Sequence, residues 1–462
     1  MEREVAVEEG HADKEATQEE EEDNLSGLMR AVRDPALGFE VRDRSYHLKT
    51  YPACFVGSEA VDWLVQNWGA RSREEAVQLG QRLRAEGVFE HVKDITKPFL
   101  DGYYFYRFTE KKKVVIVGGG FAGSKVAKKL QAAFDVTLVD SKDHFVCLIS
   151  LPSCVCDTAH LSKVTSRHST YLHCKVVVDE VIGLRKHESA VVLKKGGLLP
   201  YDYLVLCTGS RYRLPVTSNE HILVVDPLVP AALQTYYEPL QKATSVTVIG
   251  GGPVGIEIAG EIAHYFPEKR LNIIYSGKKM LERCCKGAHS SVKNYFKAFP
   301  NVRIYADQKV VDTDQDCLVT DKGDRIPTDV AYCGVGFVPN TDFMKANFAE
   351  LLTPKGHIKV NEHLQTVDYP NIFALGDIAD INEEKLAQNA EKHADVVAKN
   401  IRAMESTCPF AAMYSYTPGT RVLIISLGPK RAMLVRGDRV YIEGSLASKV
   451  KYLVEFRIMR GL

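Results

Sequence analysis

The sequence predicts an α/β protein with two Rossmann-like dinucleotide-binding units, on three observations. First, the apolar run Val114–Val117 leads into Gly118-x-Gly120-x-x-Gly123. Second, the pattern returns about 130 residues on, where Val246–Ile249 leads into Gly250-x-Gly252-x-x-Gly255. Third, short apolar strands alternate with helical periodicity through both stretches, as in a parallel sheet with helices on its faces. One glycine fingerprint is weak evidence, but two in the same setting support each other.

The chain in order begins with an acid-rich tail, residues 1–24, ending in Glu19–Asp23. It holds too few apolar residues to bury and is expected to be solvated and disordered. Glu2 predicts no N-terminal myristoylation. Residues 25–110 change character. Helical spacing recurs at Leu25–Met29, at Ala60–Val65 and from Arg73 to Glu86, stopping at Gly87. A short β segment follows, and Gly102–Phe108 reads as a closing aromatic strand. These residues resemble a DEP domain. The matching pieces are Tyr51-Pro52, Phe55-x-Gly57-Ser58-x-Ala60–Leu64, Glu75-Ala76, Leu79-Gly80, Gly87 with His91-Val92, and Phe99-x-Asp101-Gly102 with Tyr106-x-Phe108. The resemblance implies a winged-helix-like adaptor that docks on a membrane or a protein partner. Arg42, Arg44 and Lys49 either meet acidic lipid headgroups or form a solvated face.

The first dinucleotide unit is expected over residues 111–242. Gly118 permits the tight turn, Gly120 lets backbone approach a pyrophosphate, and Gly123 lets helix and strand pack. Gly119, Phe121 and Ala122 complete the turn, and a helix is predicted from Ser124 to Leu130 with its N-terminus toward the phosphates. Asp140 ends the next strand about 20 residues on, where a carboxylate binds a ribose diol. Lys175–Val178 reads as a strand, and Tyr203–Cys207 as another that ends in the turn Thr208-Gly209.

The second unit is expected over residues 243–345. Its helix carries Glu257, and its next strand, Leu271–Tyr275, ends at Ser276. A site selective for NADH usually has a carboxylate there. Ser276 removes repulsion from a 2′-phosphate, and Lys278 and Lys279 either attract one or decorate a loop, so NADH and NADPH both stay open. Asp329–Gly336 reads as a strand and glycine turn. Residues 346–408 return to the first unit with a strand and turn at Tyr369–Asp377 and a helix from Lys385 to Arg402. Residues 409–462 alternate as strands and end in a helix, Leu446–Met459, with Lys449, Lys451, Arg457 and Arg460. Its apolar Val450, Leu453 and Val454 face either a membrane or a core.

Composition narrows the class. At 462 residues the chain has room for about three domains. Its 45% hydrophobic and 26% charged residues are those of a soluble globular protein. The zero formal net charge gives no global attraction to nucleic acid. No apolar run reaches a membrane-spanning length, and the acidic start is neither a secretory signal nor a transit peptide. Eleven scattered cysteines read as reduced cytosolic thiols, and none has the spacing of a metal site.

Taken together, residues 111–462 resemble the two-dinucleotide flavoprotein reductases. Within them they are most similar to the apoptosis-inducing-factor-homologous group, which includes ferroptosis suppressor proteins and type II NADH dehydrogenases. The stretches that carry this are Val114–Gly123, Val139-Asp140-x-Lys142-Asp143-x-Phe145, Gly250–Glu261, Lys359–Gln365 and Gly376-Asp377-x-Ala379-Asp380. The resemblance implies FAD on the first fingerprint and NADH or NADPH on the second. It puts FAD against Gly118–Gly123, Asp140, Lys142, Thr208, Gly209, Gly376 and Asp377, with Val177 beside the adenine. The nicotinamide nucleotide would lie on Gly250, Gly252, Gly255 and Ser276, and Glu257 would face the nicotinamide as the candidate catalytic residue. Ala387-Gln388 resembles the flavin- and quinone-side dipeptide of the type II dehydrogenases. Disulfide reductases of this plan carry Cys-x4-Cys after the ribose carboxylate, but Cys147, Cys154 and Cys156 lack that spacing.

The resemblance then implies direct reduction of a quinone of the ubiquinone or vitamin K type, with an antioxidant role against lipid peroxidation. The enzyme would be cytoplasmic and peripherally bound to membranes or lipid droplets through the DEP domain or the C-terminal segment. Two alternatives stay open: an NAD(P)H-sensing module acting through the DEP domain on a protein partner, and a single-cysteine disulfide or peroxide reductase using Cys147 or Cys154. Nucleic acid is not an expected partner.

Overall fold

The computed structural model describes residues 24–25, 27–212, 222–224, 232–314, 316–335, 337–406 and 412–462. The expected disordered tail lies outside these residues apart from residue 24, as do Gly336 and residues 409–411.

The N-terminal unit holds helices α1 (residues 27–32), α2 (Gly57–Asn67) and α3 (Arg73–Ala85). Its antiparallel sheet runs in the order Arg42–Tyr46, Lys49–Val56, Phe105–Phe108, Phe89–His91. Ser72 caps α3 by accepting a hydrogen bond from Glu75 N at 3.2 Å, and Arg82 and Arg84 sit in its last turn, where they complement the helix dipole. The rings of Phe55, Phe89, Phe99 and Tyr106 fill the core. The closing strand is shorter than its aromatic composition predicts and starts at Phe105. The carbonyl of Gly102 accepts from Ser58 N and Tyr104 N, so residues 102–104 turn instead, and Tyr103 is exposed. Arg44 is a second correction. Its guanidinium is buried and paired with Glu59, so it braces the sheet against α2 and is not free for a lipid headgroup.

The first glycine turn lies in a six-stranded sheet of order Gln365–Thr366, Tyr369–Ala374, Tyr203–Leu206, Lys113–Val117, Asp135–Asp140, Lys175–Val178. All pairs are parallel except the first. Helix α4 spans Phe121–Leu130, beginning three residues before the expected start, so the end of the glycine turn is itself helical. Two short helices follow, α5 (Leu151–Cys154) and α6 (His168–Tyr171). A second sheet is wholly parallel, in the order Ile222–Val224, Val330–Cys333, Ser245–Ile249, Arg270–Tyr275, Val302–Ala306, with α7 (Ala232–Lys242) between its first two strands in the chain. It carries α8 (Pro253–Tyr265) and α9 (Lys286–Lys297). The chain then returns to the first sheet, and α10 (Ala387–Glu405) packs on α4.

The last segment is an antiparallel sheet, Val422–Ser426, Ala432–Arg436, Arg439–Gly444, followed by α11 (Ser445–Gly461). It packs on α8 and buries Ile425, Leu427, Met433 and Val435 in the main core. The N-terminal unit is seated at the amino ends of the first sheet's strands, against the turn after α4 and the end of α10. Ala132, in the turn before Asp135–Asp140, is buried in the core of that unit, and Glu86 lies 3.6 Å from Arg402 near the end of α10. Among the described residues no helix is long and apolar enough to cross a membrane.

Candidate functional site

The first glycine turn is built for close approach. Gly118 has φ +106°, and a Cβ there would stand 2.4 Å from the Cys207 carbonyl oxygen. A Cβ on Gly123 would overlap the Gly118 carbonyl. Over Gly120 there is open space: nothing lies within 4 Å of where its Cβ would be. Gly120 is also the N-cap of α4, and no side chain caps that helix. Backbone N–H groups and open space coincide where a pyrophosphate would lie. Phe121 and Ala122 are buried in the first turn of α4, with Phe121 edge-on to Phe145.

Asp140 ends its strand as expected and is buried. Its Oδ2 accepts from Gly119 N at 3.0 Å and lies 3.2 Å from His168 Nε2, while Lys142 Nζ lies 3.4 Å from Oδ1. Burial works to raise the carboxyl, but the His168 hydrogen bond and the Lys142 charge hold it below the usual carboxylate range. It is therefore an ionised acceptor suited to a ribose diol. A buried chain continues from His168 Nδ1 to Tyr171 OH at 2.7 Å and on to Ser124 Oγ at 2.9 Å, and Ser124 donates to the Gly119 carbonyl. Sequence reasoning missed His168, since no motif links it to Asp140.

The remaining expected FAD contacts have the following surroundings. Val177 pairs in register with Val139 on the neighbouring strand. Thr208 Oγ1 donates to the Asn340 carbonyl at 2.6 Å, and Gly209 turns with φ +65°. Asp377 follows Gly376 in a short helical turn and accepts from Ser210 Oγ at 2.8 Å. Gln388, in the first turn of α10, donates to the Val422 carbonyl at 3.0 Å and so ties the first unit to the C-terminal sheet.

The second glycine turn repeats the first. Gly255 approaches the Gly250 carbonyl as Gly123 approaches that of Gly118, and the space over Gly252 is open. Ser276 is exposed just after its strand. The structure adds a group the sequence reading lacked. Leu281, in the left-handed region at φ +53°, donates to the Gly251 carbonyl at 2.7 Å. The chain then brings the Glu282 carboxylate to 2.5 Å from where a Cβ on Gly277 would stand. A carboxylate thus lies beside the residue after Ser276, although Ser276 itself has none.

Glu257 is buried on α8, one and a half turns from Gly252. Its carboxylate meets the C-terminal segment. Oε1 accepts from Ser426 N and Ser426 Oγ, both at 3.0 Å, and lies 2.5 Å from Lys451 Nζ. Lys451 also donates to Ser426 Oγ at 2.9 Å. Lys451 had looked like one more base on a terminal helix; it is an inward-facing member of the site. Leu453, by contrast, is exposed, so a core role for it does not hold.

The thiols near the flavin unit are unreactive in character. Cys147, Cys154 and Cys156 are buried, and burial pushes Cys147 and Cys154 up to about 12 and Cys156 well above its ordinary value. All three are neutral thiols at physiological pH, not nucleophilic thiolates. Among the described residues no cluster of His, Cys, Asp or Glu is arranged to hold a metal ion.

Comparisons with known proteins agree with this architecture. Residues 112–394 match the pyridine nucleotide-disulphide oxidoreductase family, and residues 38–108 match the DEP domain. The chain is 29% identical over 358 residues to apoptosis-inducing factor homolog A of Dictyostelium discoideum, covering 71% of this chain and 86% of that protein. It is 31% identical over 332 residues to ferroptosis suppressor protein 1 of Mus musculus, covering 68% of this chain and 86% of that one. Among solved structures, NDH2 from Plasmodium falciparum superimposes with a TM-score of 0.66 at 15% identity, over 76% of this chain and 95% of that one.

Proposed function

Because the chain belongs to the pyridine nucleotide-disulphide oxidoreductase family and carries a DEP domain, we propose that this FAD-dependent enzyme is an NAD(P)H:quinone oxidoreductase of membrane surfaces. The observation that carries the choice of acceptor is the state of the thiols. Cys147, Cys154 and Cys156 are buried and neutral, which disfavours both a dithiol relay and a single-cysteine reductase. Electrons leave to a diffusing acceptor, and relatives named ferroptosis suppressor protein 1 favour a quinone and an antioxidant role.

FAD supplies a ring that takes a hydride and hands electrons on. The chain supplies the cradle. The glycine turn at Gly118–Gly123 holds the pyrophosphate, with Asp140 and Lys142 at the adenosine ribose and Val177 beside the adenine. Thr208, Gly209, Gly376 and Asp377 would hold the ribityl chain, and Gln388 would lie on the flavin side. Gly250, Gly252 and Gly255 hold the nicotinamide nucleotide, with Ser276 and Glu282 at its ribose. Glu257, fixed by Lys451 and Ser426, orients the nicotinamide and excludes water.

Membrane contact comes from α11 and the DEP unit. Leu446, Leu453 and Phe456 are 59%, 65% and 61% exposed on α11, among Lys449, Arg457 and Arg460. That combination suits an anionic lipid surface. On the DEP side Leu48 is fully exposed beside Lys49.

The test is anaerobic stopped-flow of the FAD-loaded protein with NADH and then a short-chain ubiquinone. Rapid bleaching followed by rapid recolouring supports the reading; bleaching that quinone fails to reverse overturns it. Glu257→Ala is expected to slow bleaching on the order of a hundredfold or more with FAD retained. Bleaching at the wild-type rate would remove Glu257 from the mechanism.

A further inference from the structure

Behind Glu257 lies a second buried carboxyl that the proposed hydride path does not use. Glu261 sits one helical turn further along the same face of α8 and is 1% exposed. Its Oε1 accepts from Ser153 Oγ of α5 at 3.2 Å. From α11, Lys451, Tyr452 and Glu455 face this region. From the segment after α5 come His160 and, at the rim, Asp157. Tyr265 of α8, Tyr295 of α9 and the neutral thiols Cys154 and Cys156 complete the surroundings.

The pairing within this cluster is unequal. Lys451 is committed to Glu257 at 2.5 Å. His160 Nε2 lies 3.0 Å from Glu455, which also accepts from Ser150 Oγ. Burial opposes it, but these hydrogen bonds hold the Glu455 carboxyl below the usual carboxylate range. Three inward carboxyls thus share one lysine and one histidine, and Glu261 is left with a neutral hydroxyl. A buried carboxyl without its own cation keeps its proton.

From this arrangement we infer that Glu261 is the proton store for quinol formation, acting through Glu257 and Lys451 at the C-terminal face of the site. The inference rests on the quinone reading above, and the balance requires one proton beyond the hydride. A reduced nicotinamide gives up two electrons and one proton as a hydride. A quinone becomes a quinol by gaining two electrons and two protons. The second proton comes from the protein, and Glu261 is the inward group placed to hold one, to be refilled from water. Glu261 does not touch the substrate; it is a positioning and proton-holding residue. Burial pushes its carboxyl up to about 7, with Lys451 and Ser153 pulling the other way. The store is therefore filled below that pH and empties as pH rises through it.

The experiment compares full-length, FAD-loaded wild type with Glu261→Gln, using NADH and two acceptors. Short-chain ubiquinone takes electrons and protons; ferricyanide takes electrons alone. Wild-type turnover with quinone is expected to fall as pH rises above about 7, while turnover with ferricyanide does not follow it. In Glu261→Gln, ferricyanide turnover is retained, quinone turnover drops on the order of tenfold or more, and the fall above neutral pH disappears. Independently of turnover, infrared spectra below neutral pH should show a protonated carboxylic acid that is lost in Glu261→Gln. Equal losses with both acceptors would make Glu261 merely structural, and unchanged quinone turnover would overturn the inference alone. Wild type that reduces ferricyanide but not quinone would overturn this inference together with the quinone reading.

Discussion

Gly119 carries a constraint separate from those of its neighbours in the turn. Its N–H donates to Asp140, and a Cβ there would stand 2.4 Å from Asp140 Oδ2 and 2.6 Å from the His168 ring. A methyl group would push both away from the ribose position. Gly119→Ala should therefore purify with a flavin-to-protein absorbance ratio well below wild type, while its far-ultraviolet dichroism is unchanged. A full flavin complement would show that Asp140 is not held where FAD needs it. Glu282 decides a different question. Its carboxylate stands beside Gly277 and would accept a hydrogen bond from a ribose 2′-hydroxyl but repel a 2′-phosphate. Lys278 and Lys279 are exposed nearby. Glu282→Ala should shift the ratio of kcat/KM for NADPH over NADH upward on the order of tenfold, a change worth about 1.4 kcal/mol. An unchanged ratio would leave Ser276 and the lysines to set nucleotide choice.

Helix α11 has two faces with separate jobs. Lys451 and Glu455 point inward to Glu257 and His160, while Leu453 and Phe456 point out. Fully burying a side chain of that size contributes about 1.5–3 kcal/mol. The double substitution Leu453→Ser, Phe456→Ser should thus weaken partition into vesicles containing anionic lipid on the order of a hundredfold, as read by co-sedimentation. Turnover with a water-soluble short-chain quinone should stay near wild type, because Lys451 is untouched; undiminished vesicle binding would place membrane contact elsewhere. The helix also marks where sequence reading stops. The glycine turns, their strands and Asp140 were legible because short-range spacing dictates them. Lys451 was not, because it lies 194 residues from its partner and local periodicity makes it one more surface base. Arg44 and Gly102–Tyr104 failed in a related way. Composition suggested an exposed cation and an aromatic strand, but an ion pair with Glu59 and two hydrogen bonds to one carbonyl settled them otherwise.

At the scale of the whole molecule, α10 links the two ends. Its first turn holds Gln388 beside the C-terminal sheet, and near its last turn Arg402 faces Glu86 of the DEP unit. Nineteen residues of helix span about 28 Å, so the DEP unit is seated far from the glycine turns. The strand direction agrees. Ala132 precedes a strand whose carboxyl end is Asp140, which puts the DEP seat at the amino ends of the sheet and the cofactor loops at the other. The seat is specific: Ala132 is 1% exposed and shares a core with the DEP aromatics, and Arg402 also donates to the Lys129 carbonyl at 2.6 Å. A charge at Ala132 would be buried without a partner, at a cost of several kcal/mol unless the surfaces part. Ala132→Asp is therefore expected to unseat the DEP unit and leave the catalytic unit intact. Limited trypsin digestion should then cut the Lys111–Lys113 junction much faster than in wild type, with the flavin spectrum and NADH turnover preserved in the larger fragment. Cleavage at the wild-type rate would mean that Ala132 does not hold the seat. Loss of flavin together with fast cleavage would mean that the DEP unit is part of the catalytic fold and not an adaptor fixed to its far end.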